Sequence, residues 1–303
     1  MTARNLALQA IYRINEEDAF SNLVIDNLLT ASELNPCDRR LVTHLVYGSL
    51  RWRNSLDWII NQVADRKVAK MTPWVRNALR LGVYQLEYLD RVPARAACNE
   101  TVEAVKEHSN RGAVKYVNGV LRNIVRRIEE IEYPSSEGEP VQYLRYRYSQ
   151  PQWLIERWRQ NFGPQVAAQI CSTLNQIPLL TGRTNTLQLS REQLVNNLQA
   201  EGITAAKIDP IAEAVELIDH PPLAQLSSFQ QGQFIIQGLS SMLAAHLLNP
   251  VPGETVVDLC SAPGGKTTHL AQLMNNQGQI YAVDKSQAKL NLVEENCRRL
   301  EVE

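Results

Sequence analysis

Cysteine is sparse in this sequence: five in 303 residues, at positions 37, 98, 171, 260 and 297. They form no Cys-x-x-Cys pair and no zinc-type spacing, so neither a disulfide framework nor a metal module is expected. Long apolar runs are also lacking. No stretch of about 18 uncharged apolar residues occurs, which predicts no membrane span. The N-terminus carries Arg4, Arg13 and acids at Glu16, Glu17 and Asp18, without the continuous apolar block of a signal peptide. These absences together predict a cytoplasmic protein. No exact internal repeat recurs, and no sign of charge dominates: the formal net charge is −1. Overall charge therefore does not argue for nucleic acid.

What is present is globular. Apolar residues make up 44% and charged residues 21%, and the length suggests two or three domains. Charge is uneven along the chain. Residues 1–130 hold 19 Lys/Arg against 15 Asp/Glu, whereas residues 131–303 hold 12 against 17. A mildly basic first domain beside an acidic remainder is compatible with RNA contact by the former.

Residues 1–130 read as an all-helical bundle. Leu6, Ala7, Ala10, Ile11 and Ile14 recur at spacings of three and four. Ser21 is placed as a helix cap, Pro73 in a first helical turn, and Pro93 at the head of a further helix. A last helix runs through Val117, Val120, Leu121 and Ile124. Basic candidates for RNA backbone contact are Arg39, Arg40, Arg51, Arg53, Arg111, Lys115, Arg122, Arg126 and Arg127. An ordinary solvated face paired with local acids is the competing reading. Tyr47, Trp52 and Trp58 are expected in the core.

Residues 131–142, rich in Pro, Gly and charge, read as a linker. Residues 143–220 read as a small α/β subdomain. In it Phe162-Gly163 ends a helix, Arg183-Thr184-Asn185 lies on a strand, and Ser190 caps a helix. Residues 221–303 open a further α/β domain, with a turn at Gly232, a short strand at Phe234-Ile235-Ile236 and a final helix capped by Ser286.

The chemistry concentrates between Thr255 and Asp284. Two β-branched runs ending in Asp258 and Asp284 flank Cys260-Ser261-Ala262-Pro263-Gly264-Gly265-Lys266 and a helical pattern. This is a strand, ligand loop, helix and strand, the opening of an open α/β sheet. A phosphate-binding P-loop ending in Gly265-Lys266-Thr267 would need glycine at 260, which is Cys. The glycines also miss the dinucleotide pattern G-x-G-x-x-G. A nucleoside without phosphates remains, with S-adenosylmethionine the natural candidate. Asp284, 19 residues beyond Gly265, suits a ribose diol. A glycine turn with no ligand is the bland alternative.

The run Asp258-Leu259-Cys260-Ser261-Ala262-Pro263-Gly264-Gly265-Lys266-Thr267 resembles the first methyltransferase motif of the RNA 5-methylcytosine methyltransferase family. Phe229-Gln230-Gln231-Gly232, Gln237-Gly238 and Leu239-Ser240-Ser241 resemble the bacterial 16S ribosomal RNA cytosine-C5 branch called Sun or Fmu. Gly238 departs from the acidic residue usual there. In the first domain, Asp38-Arg39-Arg40, Val46 to Arg51, Arg80 to Leu86 and Lys115 to Asn123 resemble that branch's accessory domain, itself similar to the antitermination factor NusB.

The resemblance implies a multidomain architecture: a NusB-like helical RNA-binding domain over 1–130, a small α/β subdomain over 143–220, and the truncated start of a Rossmann-like class I methyltransferase sheet over 221–303. It implies S-adenosyl-L-methionine held by Cys260 to Lys266 and by Asp284, with Lys266 either touching the cofactor or organising the loop. It implies 16S ribosomal RNA as partner, with Arg183 and Asn185 as candidates to meet it, either of which could equally be structural, and a monomer is favoured. The implied reaction is methylation of cytosine C5 through a cysteine adduct at C6. The family's Pro-Cys and Thr-Cys-Ser regions, which carry its functional cysteines, lie outside these 303 residues. Cys260 and Cys297 read as packing residues, and no cysteine present is expected to act as nucleophile. The chain is thus expected to be a fragment that transfers nothing by itself. The alternative function is a non-catalytic NusB-like RNA-binding protein.

Overall fold

The computed structural model describes residues 2–176, 178–218 and 220–303, which cluster into two units divided between Gln176 and Ile177.

The first unit is all helical: α1 Ala3–Glu16, α2 Ser21–Thr30, α3 Pro36–Arg51, α4 Arg53–Val63, α5 Pro73–Tyr88, α6 Ala94–Lys106, α7 Arg111–Arg127, α8 Pro140–Arg147 and α9 Gln152–Thr173. Local chemistry sets the helix starts. Thr2, Asn35 and Asn110 each accept a backbone N–H of the first turn, and Pro36 and Pro73 occupy first-turn positions where no N–H is needed. Ser21 is not a cap: Phe20 holds that position and makes no side-chain hydrogen bond. Gly163 breaks α9 with a φ of 81°, as the Phe162-Gly163 pair predicted.

One core joins α1 and α3 to α7 through Leu8, Ile11, Leu45, Leu56, Ile60, Leu79, Leu81, Leu121 and Ile124, all essentially inaccessible. Gly48 of α3 lets the ring of Tyr84 on α5 approach, since a Cβ there would meet the ring at 1.9 Å. Polar groups inside are paired. Arg76 and Asn77 hold the Glu16 carboxylate, and Arg80 grips Asp57 at 2.7 and 2.8 Å. Trp52 stacks on Tyr88 and Trp58 on Tyr146, both half-buried. Tyr47, expected inside, is 39% exposed, because the inward face of α3 is filled by Val42, Leu45, Val46 and Ser49.

The second unit contains β1 Thr181–Thr184, α10 Arg191–Ala200, β2 Thr204–Lys207, β3 Ala214–Ile218, α11 Ser227–Gln230, β4 Phe234–Ile236, α12 Leu239–Leu248, β5 Thr255–Asp258, α13 Gly265–Leu273, β6 Gln279–Ala282 and α14 Gln287–Arg299. Four strands form an antiparallel sheet in the order β2-β3-β1-β4. α10 covers one face through Leu194 and Leu198, which pack on Val215, Leu217 and Phe234. Its start is a complete capping box between Ser190 and Gln193. β4, expected to open the methyltransferase core, pairs with β1 in this sheet, Arg183 facing Ile235 in register.

The second sheet is the parallel pair β5-β6, in register from Thr255↔Gln279 to Asp258↔Ala282. Val257, Leu259, Tyr281 and Val283 project from one face of it and are 55, 71, 50 and 46% exposed. Ser286 precedes α14 but makes no side-chain cap. Among the described residues no helix is long and apolar enough to cross a membrane.

Candidate functional site

Because β5 and β6 run parallel, the loop after β5 and the residue after β6 emerge at the same end of the sheet. The first carries Cys260 to Gly264 and the second carries Asp284.

The loop is held from several directions. Ser261 donates both its N–H (3.0 Å) and its hydroxyl (3.1 Å) to the Val283 carbonyl. Gly264 N–H closes a turn onto the Ser261 carbonyl at 2.7 Å. Gly264 has a φ of +102°, and a Cβ there would lie 3.2 Å from the α14 backbone at Val293, so both conformation and space call for glycine. Asn296 donates to the Pro263 carbonyl at 2.9 Å. Asp258 accepts from Thr267 Oγ1 (2.8 Å) and Cys260 N–H (3.3 Å), tying the strand end to the first turn of α13.

Two features face outward. The first intrahelical bond of α13 is Thr268 N–H to Gly264 O, so the N–H groups of Gly265, Lys266 and Thr267 precede the helical ladder. Asp284 is half-buried and its Oδ1 accepts the Ser286 N–H at 3.1 Å, while Oδ2 has no protein hydrogen bond among the described residues. Cys260, read as a packing residue, is exposed: it follows the sheet end, where no helix covers it. Ala262 is half-buried and Pro263 and Lys266 are exposed. A separate apolar cavity of about 220 Å³ lies between α13, β6 and α14, lined by Ala271, Met274, Ile280 and Cys297, away from the loop.

Arg183 was expected to meet RNA, and the structure corrects this. It is fully buried in β1, and its guanidinium donates to the Gly265 carbonyl (2.5 Å), to Thr268 Oγ1 (2.9 Å) and to Gln237 Oε1. Burial pushes its pKa down to about 9, opposed by the charge of Glu213, so it remains a cation at neutral pH. Asn185 is likewise buried, donating to Gly232 O (2.9 Å) and Leu300 O (2.8 Å) and accepting from Gln272 (2.6 Å). Gln237, Thr267 and Gln272 are supports to which sequence reading gave no such role. The matched Gln237-Gly238 pair and the matched run ending in Thr267 pointed to the first two, and nothing pointed to Gln272. Gly238 is the N-cap of α12.

In the helical unit, Arg39 is half-buried and donates to the Leu29 carbonyl at 2.5 Å, which makes it part of the α2–α3 packing. Arg40, Arg111, Lys115, Arg122 and Arg126 are exposed. Four of these share α7. At ~100° per residue, 111, 115, 122 and 126 fall within about 60° of one another, opposite buried Val117, Val120, Leu121 and Ile124. The stripe is roughly 22 Å long. None of its four cations makes an ion pair among the described residues. Arg122 and Arg126 also border a groove with Arg95, Cys98 and Asn99. Arg95 was not singled out from sequence.

Three thiols are disfavoured as nucleophiles. Burial pushes Cys98 and Cys297 up, and Cys171 to about 11. The chain's one Pro-Cys pair, Pro36-Cys37, opens α3.

A helical bundle, an antiparallel α/β unit and a parallel pair with a glycine loop define a modular class, and sequence profiles recognise each part. The NusB family profile matches residues 1–126, that of the RsmF/B-like ferredoxin-like domain matches 150–223, and that of 16S rRNA methyltransferase RsmB/F matches 245–303. The chain is 38% identical over 301 residues to the probable ribosomal RNA small subunit methyltransferase B of Synechocystis, covering 99% of this chain and 67% of that protein. Identity to the Bacillus subtilis protein so described is also 38%, over 299 residues and 66% of its length. The crystal structure of PH0851 superposes with a TM-score of 0.75 at 25% identity, over 100% of this chain and 68% of that one. The chain belongs to the ribosomal RNA small subunit methyltransferase B family. It spans about two thirds of the length of these curated relatives.

Proposed function

We propose that this chain binds S-adenosylmethionine at the Cys260–Lys266 loop and 16S ribosomal RNA through its helical unit, as the cofactor- and RNA-holding part of a cytosine-C5 methyltransferase. One observation carries the reading: the free end of Asp284 and the unpaired N–H groups opening α13 emerge at the same end of one parallel strand pair.

The donor set fits the cofactor. Asp284 Oδ2 is available to accept a ribose hydroxyl, and the helix start suits the carboxylate of the methionine end. Asp258, the other acid at the loop end of this sheet, is already engaged by Thr267 and by the Cys260 N–H. When bound, the cofactor supplies an electrophilic methyl group. The protein's own part is to hold and orient: Arg183 and Asp258 fix the loop from beneath, and Ser261 ties it to β6.

The family membership supports rRNA as the methyl acceptor. Cytosine C5 is a weak nucleophile until a thiolate adds at C6, and the base must leave its stack to be reached. Burial and raised pKa values remove Cys98, Cys171 and Cys297 from that role. The α7 stripe is the surface we assign to the RNA backbone.

Calorimetric titration of the 303-residue chain with S-adenosylhomocysteine, and separately with ATP, tests the reading. One site for the first and none for the second is expected. Failure to bind the nucleoside, with the chain folded by circular dichroism, would leave only the RNA-binding alternative.

A further inference from the structure

A buried cluster lies on the far side of Arg183 from the loop. Glu213 stands at the head of β3, His246 in the last turn of α12, and His269 within α13. Glu213 Oε1 is 2.6 Å from His246 Nε2 and 2.6 Å from His269 Nε2, and the three atoms all lie within 4.8 Å of one another. The two rings stand nearly perpendicular, 84° apart.

His269 is the informative member. It is 1% exposed, its Nε2 stands 2.6 Å from the Glu213 carboxylate, and its Nδ1 has no hydrogen-bond partner among the described residues. A buried imidazole nitrogen ordinarily has a partner.

We propose that Glu213, His246 and His269 form a binding site for a divalent first-row transition ion of the zinc type, which clamps β3, α12 and α13 together. Two imidazoles and one carboxylate are a common donor set for such ions and a poor one for magnesium or calcium. Nitrogen and oxygen ligands at ~2.0–2.1 Å require donor atoms about 3.3 Å apart in a tetrahedral site. The carboxylate therefore withdraws by less than an ångström to admit the ion. Arg183 nearby disfavours a cation, and the Glu213 charge offsets it. His246, 36% exposed, leaves a path for the ion and an open position for water. The bound ion would stiffen α13, whose first turn carries the cofactor loop.

The test uses the untagged, chelator-treated 303-residue chain with Co²⁺ alone and then Zn²⁺ alone. One equivalent of Co²⁺ should bind with visible ligand-field absorption, displaced by Zn²⁺, and Zn²⁺ should raise the melting temperature. His246→Ala should lower Co²⁺ affinity by at least the ~100-fold seen for loss of even an outer-shell partner. His44→Ala, at an exposed histidine of α3, should change nothing. Wild-type chain with no visible band and no Zn²⁺-dependent melting shift overturns the proposal, whatever the variants do. So does a folded His246→Ala chain that keeps wild-type affinity, or an equal loss in His44→Ala.

Discussion

Arg183 on β1 donates to the backbone carbonyl of Gly265 at 2.5 Å, so the antiparallel sheet holds the Cys260–Gly265 loop through one buried guanidinium. A residue that reads as an RNA contact is the loop's internal brace. Arg183→Ala should destabilise the second unit by about 3 kcal/mol, since it strands Gln237, the Gly265 carbonyl and the Glu213 charge. Denaturant unfolding followed with a probe in that unit measures this. RNA affinity of the helical unit should stay unchanged. A variant of normal stability with weakened RNA binding would restore the sequence-based reading.

Asp284 tests the cofactor assignment without disturbing the fold. Among the described residues its one hydrogen-bond partner is the Ser286 N–H at 3.1 Å. Loss of a hydrogen bond to a charged group amounts to about 1.5–3 kcal/mol, or roughly a 10- to 100-fold loss of affinity. Asp284→Ala should show that loss for S-adenosylhomocysteine by calorimetry, with an unchanged melting temperature.

The α7 stripe predicts a salt signature. Arg122→Glu with Arg126→Glu should weaken binding to a single-stranded 16S rRNA fragment and flatten the plot of log affinity against log salt. The slope should fall by about 0.7 for each phosphate contact removed. Both side chains are exposed and without ion pairs, so helicity should not change. An unaltered slope would move the RNA surface elsewhere.

Glu16 gives the helical unit an acid-sensitive joint. Burial raises its pKa, but hydrogen bonds from Arg76 and Asn77 and the charges of Arg76 and Arg80 outweigh that and hold it below the usual value. The folded state then binds this proton less readily than the unfolded one. The stabilisation is complete above pH ~4.3 and disappears as pH falls through the lower folded value. Glu16→Gln should cost about 1–2 kcal/mol at pH 7. Its unfolding free energy, plotted against pH, should keep its gap to wild type through the unfolded value of ~4.3 and close that gap only as pH falls through the lower folded value. A constant gap from pH 7 to 3 would contradict the pairing.

The local signals survived where they concerned one chain segment and water. Apolar spacing located α1, α5 and α7, prolines and Gly163 located helix boundaries, and β-branched runs located β5 and β6, because burying one face of a segment imposes its own period. The glycine loop and Asp284 were legible for the same reason: a turn of positive φ and a strand-end acid leave their mark in residue type. Caps were less legible. Ser21 and Ser286 have the right chemistry but make no cap, whereas Ser190 does, since a cap also needs the hydroxyl placed to accept a first-turn N–H, here that of Gln193.

The rest was decided by contacts between residues far apart in the chain. Arginine on a strand reads the same whether it faces RNA or a carbonyl 82 positions away, and only the pairing of β1 with β3 and β4 turned Arg183 inward. Glu213, His246 and His269 lie 33 and 23 residues apart in sequence, with no motif spacing, and meet because β3, α12 and α13 converge. Amino-acid sequence by itself determined the helical bundle and the strand–loop–helix–strand. Tertiary structure alone decided which charged groups face solvent and which are enclosed, because burial is a property of the packed neighbours and not of the residue.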